Sequence, residues 1–240
     1  MKNHQLPCFA AVLVTTLGLL GAARPASATS IFVSNLELTN GYEIVSLVEN
    51  GSIVDGNYAG QLDLTANIGT SLDSGSTFHL YGWCVDMFHD IYLGSDSDVY
   101  TVASTSTIDT DPGSPSGSTI SSAQAAQITW LASYGNYILA NQGPNSDFSA
   151  AVQIAIWNAE YGYTYVGSDS TLSNDLSNLA SLYVTDPGAY PVDPGTVAFV
   201  SQDSVSQGLT GIGPAPEPAS FVLLAGGLLA LGALHRRHVA

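Results

Sequence analysis

The chain has 240 residues, with 20 acidic side chains against four lysines and arginines, and its formal net charge is −16. A chain this negative repels nucleic acids and anionic lipid surfaces, so both are excluded as partners. Hydrophobic residues make up 45% of the chain, which is enough for the full core of one domain.

The first 28 residues have the composition of a secretory signal peptide. Lys2 precedes an apolar run over residues 9–21, and Ala26-Ser27-Ala28 supplies the small residues that signal peptidase requires. The run is too short to favour a membrane anchor, so we predict cleavage after Ala28. Cys8 then leaves with the signal, and Cys84 becomes the one cysteine of the exported body.

Strand and turn signals fill the first third of the body. Runs over 31–39 and 42–49 are rich in strand-forming residues and flank Asn40-Gly41, and a second Asn-Gly pair follows at 50–51. Asn-Gly is the strongest short-range hairpin signal, so we expect a hairpin at each pair. Further runs at 52–59, 61–68 and 77–93 complete a prediction of roughly four to six antiparallel strands.

The middle of the body changes from strand to helix patterns. Apolar residues recur at helical intervals over 121–142 and again over 147–161, after a loop at 109–118. A third helix is predicted at 168–184, and two Asp-Pro-Gly turns precede a return to strand at 196–201. We therefore predict one α+β domain over residues 29–213, an antiparallel β-rich barrel or sandwich with an inserted helical segment.

Cys84 lies in the segment Tyr-Gly-Trp-Cys-Val-Asp-Met-Phe, and its role is open at this point. One interpretation is a buried cysteine that packs as a small hydrophobe. A second is a catalytic pair with His79 or His89, but residues five apart on one strand point to opposite faces. The common hydrolase, zinc-protease and phosphate-loop motifs are also missing, which favours a protein that is not an enzyme.

A third interpretation pairs Cys84 with Gln153. Gln153 lies on the apolar face of the second predicted helix, and a carboxamide there needs a partner, for which a backbone hydrogen bond is the ordinary solution. Together, Trp83-Cys84-Val85-Asp86 and Val152-Gln153-Ile154-Ala155-Ile156-Trp157 resemble the Cys-Gln thioester domains of bacterial surface adhesins. That family often has Tyr and Thr where this chain has Trp83 and Val152.

The resemblance implies an internal thioester between Cys84 and Gln153, with Trp83, Trp157 and Asp86 as supporting residues. A thioester donates its acyl group to amines, so the implied role is covalent adhesion to an amine-bearing surface, or stabilisation of the domain. The absence of lysine from residues 29–213 fits, because no internal side-chain amine could discharge the bond. The alternative is a non-reactive structural or glycan-binding matrix protein in which Cys84 is simply buried.

Two acidic loops, at 96–98 and 109–111, could bind Ca²⁺. Neither has the full spacing of an EF-hand, and no other cofactor is expected.

The chain ends with Pro216-Glu217-Pro218, an apolar run over 221–234, and Arg236-Arg237. A helix of about 15 residues is a marginal membrane span, and the arginines would fix its cytoplasmic end. The order of these parts resembles the PEP-CTERM sorting signal of Gram-negative bacteria that make exopolysaccharide, here over residues 214–240. The resemblance implies export, transient anchoring, processing by an exosortase, and a place on the cell surface or in the biofilm matrix; a plain tail anchor is the alternative.

All the basic residues lie in the two ends that are predicted to be removed, whereas only one acidic residue, Glu217, does. No carboxylate of the body can therefore pair with a Lys or Arg of the same body. Its stability has to come from apolar burial, hydrogen bonds, bound cations or a covalent link.

Overall fold

The computed structural model describes residues 30–49, 51–69, 77–87, 98–109, 119–188, 190, 192–201 and 208–213. The predicted signal peptide and sorting segment lie outside these residues, as do Phe88 and His89. Among the helices of the described residues, none combines the length and the apolar composition needed to cross a bilayer.

The described residues contain nine strands, three α-helices and a short 3-10 helix at Thr105–Thr107. The strands are β1 Ser30–Glu37, β2 Tyr42–Glu49, β3 Ser52–Gly60, β4 Leu62–Ile68, β5 Phe78–Cys84, β6 Asp98–Ala103, β7 Thr164–Tyr165, β8 Thr196–Ser201 and β9 Leu209–Ile212. The helices are α1 Ser122–Gln142, α2 Ser146–Tyr161 and α3 Ser170–Thr185. The prediction of an antiparallel β-rich domain with a helical insertion is confirmed, and each predicted helix ends within two residues of its observed bounds.

Six strands form a closed antiparallel barrel in the order β1-β4-β5-β9-β8-β6. Alternate side chains fill its interior, among them Val33 of β1 and Leu64 of β4, which are both fully buried. A register shift between Val33 and Asn35 adds one residue to β1, so that Leu36 also points inward. Because the barrel is closed, each of its strands is hydrogen-bonded to a neighbouring strand on both sides.

A second sheet, in the order β3-β2-β7, lies beside the barrel. The predicted hairpin at residues 50–51 is confirmed, because Glu49 pairs with Ser52 across it. The hairpin predicted at Asn40-Gly41 is wrong: β1 belongs to the barrel, whereas β2 belongs to the second sheet.

The physical reason is a tertiary contact of the Asn40-Gly41 turn. The Asn145 N–H donates to the Asn40 carbonyl at 3.2 Å, just before α2 begins. Gly41 has φ of 87°, and a Cβ there would lie 3.0 Å from the Cα of Ser146. The turn is therefore packed against the start of α2 and directs the chain from one sheet to the other, instead of folding β2 back on β1.

Residues that flank the first two helices cap their ends. Ser121 and Gln124 form a capping box at the start of α1, and the Asn145 side chain caps α2. Gly162, in the left-handed conformation, follows the last residue of α2. Most of α2 is buried, since it lies between the strands on one side and α1 and α3 on the other.

Strands β6, β7 and β9 had no sequence prediction. β9 has only four residues, Leu-Thr-Gly-Ile, and its strand state depends on pairing with β5 and β8 rather than on local preference. It completes the barrel, and Leu209 pairs with Cys84.

Helix α1 approaches the rest of the core closely at Gly135. A Cβ at this position would lie 2.7 Å from Cζ2 of Trp83 and 2.8 Å from Cγ1 of Val152. Since these residues directly precede Cys84 and Gln153, Gly135 lets one helix pack against both segments.

We expect Gly135→Ala to destabilise the protein, although alanine is the better helix former by about 1 kcal/mol. Overpacking Trp83 should cost about 1–3 kcal/mol and outweigh that gain. Urea denaturation measures the difference. Gly188→Ala is the control, because nothing lies within 4 Å of the added methyl group there. If Gly135→Ala lowers the free energy of unfolding by no more than Gly188→Ala does, the contact with Trp83 relaxes around the added methyl group.

Candidate functional site

Cys84 is the last residue of β5, a strand of the barrel wall. It is buried, with 6% of its surface exposed. Its pairing with Leu209 continues in the next residue, where the Val85 N–H donates to the Gly208 carbonyl at 2.9 Å. The main chain around the thiol is therefore held from one side by β9.

Gln153 holds the same segment from the other side. It lies in the middle of α2 and is fully buried. Its Oε1 accepts from the Cys84 N–H at 2.9 Å, and its Nε2 donates to the Cys84 carbonyl at 2.8 Å. The Gln153 carboxamide, which needed a hydrogen-bond partner, thus bonds to the main chain of the residue that carries the thiol. The structure brings these two predicted residues together across 69 positions of sequence.

The two hydrogen bonds fix the orientation of the Gln153 amide. Both polar atoms of the amide bond to the main chain of Cys84, so its carbonyl carbon lies next to the residue that carries the thiol. The Cys84 N–H also polarises the Gln153 carbonyl towards attack. Chemically, this arrangement suits acyl transfer from nitrogen to sulfur.

The two predicted tryptophans are buried beside the pair. Trp83 is fully buried and donates from Nε1 to Oδ1 of Asn136 at 3.0 Å. Trp157 is 2% exposed and lies one helical turn after Gln153. These large apolar rings are consistent with a site that excludes water.

Sequence reasoning missed the polar network that holds Trp83. Asn136 of α1 accepts from both Trp83 and the Nε2 of Gln61, and donates to the Tyr81 carbonyl at 3.3 Å. The Gln61 N–H in turn donates to Oγ of Ser149 on α2 at 2.7 Å. The sequence signal that could have identified Asn136 and Ser149 is the one that identified Gln153: a polar residue that interrupts an apolar stretch of a helix.

Asp86 is buried two residues beyond Cys84, and its Oδ2 lies 3.5 Å from the Gly208 N–H, the outer limit of a hydrogen bond. His79, in contrast, is on the outside of the barrel, where its Nδ1 lies 2.9 Å from Oδ1 of Asp63. The structure therefore brings Asp86, but not His79, to the thiol, while His89 lies outside the described residues.

The site is strongly unfavourable to negative charge. Burial raises the pKa of the Cys84 thiol far above its usual range, and the carboxyl groups of Asp86 and Glu160 raise it further. Burial likewise raises the pKa of Glu160 to about 9; Tyr161 lowers it, whereas Asp86 and Asp109 add to the rise. At neutral pH the thiol and Glu160 are therefore protonated. The sequence signal for Glu160 was its position seven residues after Gln153, on the same helix face.

In the described part of the chain, no three Cys, His, Asp or Glu side chains come together as a metal site. Of the predicted Ca²⁺ loops, 96–97 and 110–111 lie outside the described residues. Asp98 is the first residue of β6, and its Oδ1 accepts from the Val99 N–H at 2.6 Å.

No protein-family model matches the chain, and no curated protein matches it either. Among solved structures, the fold is similar to an N-terminal thioester domain of a surface protein from Clostridium perfringens. The TM-score is 0.46 at 13% sequence identity, and the alignment covers 76% of this chain and 98% of that one. The function of this chain is inferred from its own residues.

We expect Asn136→Ala to cost about 2–4 kcal/mol of unfolding free energy, because the buried donors of Gln61 and Trp83 both lose their acceptor. Urea denaturation is the measurement. Asn141→Ala, an exposed position on the same helix, should change stability by no more than about 0.5 kcal/mol. Equal effects for the two variants would mean that the network does not hold Trp83.

Glu160 gives stability a predictable pH dependence. Its pKa is raised from 4.5 to about 9 in the folded state, so the folded protein binds the proton more tightly than the unfolded chain does. Its contribution is complete below pH 4.5 and is lost as pH rises towards 9, by up to about 1.4 kcal/mol per pH unit.

Glu160→Gln should remove this slope, so that the variant gains stability relative to wild type as pH rises. Urea denaturation from pH 5 to 9 measures it, with the exposed Glu37→Gln as a control that keeps the wild-type slope. Parallel curves for wild type and Glu160→Gln would show that Glu160 ionises normally.

Proposed function

We propose that this chain is an exported surface or matrix protein whose body forms an internal thioester between Sγ of Cys84 and Cδ of Gln153. One observation carries the proposal: the Gln153 amide is hydrogen-bonded on both sides to the main chain of Cys84. Many buried glutamines bond to backbone. Here the backbone belongs to the one cysteine of the predicted body.

In the proposed reaction the Cys84 sulfur attacks Cδ of Gln153. The S–C bond forms, the C–N bond breaks, and the thiol proton ends on the departing nitrogen, which leaves as ammonia. Negative charge develops on Oε1 during the attack. The Cys84 N–H already donates to that oxygen, so the main chain supplies the stabilisation of an oxyanion hole.

Enclosure supports the same chemistry. An amide is a poor electrophile, so the reaction needs the two groups held in contact and away from water. Cys84 is 6% exposed and Gln153 is not exposed at all. The surroundings that favour bond formation would also protect the thioester from hydrolysis.

The proposed role of the bond is covalent capture of an amine on a partner surface. A thioester is an acyl donor to amines, and residues 29–213 contain no lysine that could discharge it internally. Because the pair is enclosed, capture requires local opening, and the closed bond crosslinks the resting domain. The protein is proposed to act as an adhesin-like binder and not as an enzyme.

The proposed route to the surface rests on the two ends of the sequence. Signal peptidase would remove residues 1–28, and an exosortase would process the segment that starts near Pro216-Glu217-Pro218. The body would then be released to the cell surface or to the exopolysaccharide matrix.

A second function, a non-reactive glycan-binding or structural matrix protein, is favoured by a groove on the outside of the barrel. The groove has a volume of ≈ 610 Å³, and Tyr81 and Tyr137 line it while 43% and 53% exposed. Asn141 and Asp193 add polar groups. Exposed aromatic faces beside amide and carboxyl groups are suited to binding sugar rings.

Intact mass spectrometry tests the thioester. The purified, unreduced body should be lighter than its sequence by one ammonia, and methylamine should add to Gln153 and release a thiol on Cys84. Cys84→Ala and Gln153→Ala should each abolish the deficit, because each removes one partner of the bond. Gln142→Ala, which changes an exposed glutamine, should keep it.

A protein of full mass whose Cys84 is alkylated after denaturation would rule out the thioester. Polysaccharide binding that survives Cys84→Ala, in a protein of full mass, would favour the second function.

A further inference from the structure

The groove on the outside of the barrel lies at a gap in the barrel wall. Within the described residues, 78–81 of β5 pair with β4 alone, whereas β9 pairs with β5 at residues 82–84. The groove is lined by residues 79–81 of β5, by residues 192–194 and by one face of α1. It therefore occupies the place beside β5 that a longer β9 would take.

The chain leaves the described residues at this groove. Ile212 and Gly213 line it, and the Gly213 N–H donates to the Gly195 carbonyl at 2.8 Å, which holds the end of β9 in place. β9 runs antiparallel to β5, with Gly211 opposite Gly82. A chain that keeps this direction beyond Gly211 passes residues 81, 80 and 79 of β5 in turn.

The next residues, 214–218, read Pro-Ala-Pro-Glu-Pro and lie outside the described residues. Backbone groups alternate between two neighbours along β9: the Gly208 carbonyl accepts from Val85 on the β5 side, and the Gly213 N–H donates on the β8 side. Continued, this alternation turns positions 214, 216 and 218 towards β5, and all three are proline. Because proline has no N–H to donate, the segment does not extend the ladder between β9 and β5.

A segment with proline at every second position has another way to bind. It favours the extended polyproline II conformation, which needs no partner strand and advances about 3.1 Å per residue, so that five residues reach about 15 Å. Grooves lined by aromatic side chains bind such segments. Tyr81 and Tyr137 supply aromatic faces here, at 43% and 53% exposed, and Val192 and Pro194 add apolar surface.

Attachment favours this segment over other occupants of the groove. It follows β9 without a linker, so its effective concentration at the groove is on the order of millimolar or higher. A second copy of the chain would bring another acidic body, and residues 29–213 contain no Lys or Arg to offset the repulsion. A free glycan has to compete with a segment that is already in place.

We propose that residues 214–218 dock in the groove as an internal ligand, with proline rings packed on Tyr81 and Tyr137. The docking does not depend on the proposed thioester. It covers the tyrosine faces for as long as the segment stays joined to the body, so a glycan enters the groove only when the segment is displaced or removed. It also holds the predicted sorting motif, Pro216-Glu217-Pro218, against the barrel.

Photo-crosslinking of the full chain in detergent micelles tests the docking. p-Benzoylphenylalanine replaces Tyr137, and mass spectrometry of a proteolytic digest identifies what it captures. The expected product is a crosslink to residues 214–218 within one chain. The same replacement at Tyr58, a 56% exposed tyrosine of the second sheet, is the control, and it should capture the segment about tenfold less, which corresponds to about 1.4 kcal/mol.

Two sets of variants, made in the chain that carries the photo-crosslinker at position 137, test the proposed contacts. Pro214→Ser, Pro216→Ser and Pro218→Ser together keep the length of the segment but remove its rings and its stiffness, so the yield should fall about tenfold. Tyr81→Ala should also lower the yield, because it removes one of the two aromatic faces. Tyr42→Ala changes a tyrosine of the second sheet that is likewise 43% exposed, and it should leave the yield unchanged. Circular dichroism verifies the fold of each variant.

Equal yields from positions 137 and 58, or a yield that the proline changes leave unaltered, would mean that the segment meets the body at random, and would overturn the proposal. Crosslinks between two chains would assign the groove to a second copy instead. Capture of added exopolysaccharide at position 137, in place of the segment, would assign it to a glycan. None of these results alters the mass deficit that tests the thioester.

Discussion

The hydrogen-bonded contact between the Gln153 amide and the main chain of Cys84 joins the middle of α2 to the end of β5. It satisfies a carboxamide in the middle of a buried helix and also the peptide groups of β5 at the point where the strand ends. If either side were missing, buried donors and acceptors would lose their partners, each at a cost of about 1–3 kcal/mol. A covalent bond here would close a loop of 69 residues, which by chain entropy adds roughly 4 kcal/mol.

The surrounding packing serves to hold this contact. β9 supports Cys84 from the barrel side, and Gly135 lets α1 approach both Trp83 and Val152. The Asn136 network then ties α1 to the residue before the cysteine. Each of these is a short-range fit in a close-packed interior, so the position of the sulfur relative to the amide depends on several elements at once.

The charge balance of the chain gives the site its chemistry. Without a Lys or Arg in residues 29–213, a buried acid has no ion pair to form, and it stays neutral by keeping its proton. Glu160 and Cys84 are both in this position. The absence of Lys and Arg from residues 29–213 therefore has two consequences: no lysine of the body could discharge the proposed thioester, and the buried Glu160 carboxyl group stays protonated at neutral pH.

The sequence by itself determined the helices and most of the strands, because these depend on local periodicity and residue types. The pairing of Cys84 with Gln153 was a hypothesis that rested on the resemblance of the two motifs to thioester domains. The sequence also identified Trp83, Trp157 and Asp86 as neighbours of the site, since they are adjacent to the two motifs. It was wrong about Asn40-Gly41, and it did not identify β9, the Asn136 network or Glu160. Those features depend on contacts between segments far apart in the chain: a turn packed on a helix, a four-residue strand paired on both sides, and polar side chains whose burial no local pattern encodes. Only the tertiary structure decides them, because burial and pairing are properties of what surrounds a residue, and the sequence order alone does not specify those surroundings.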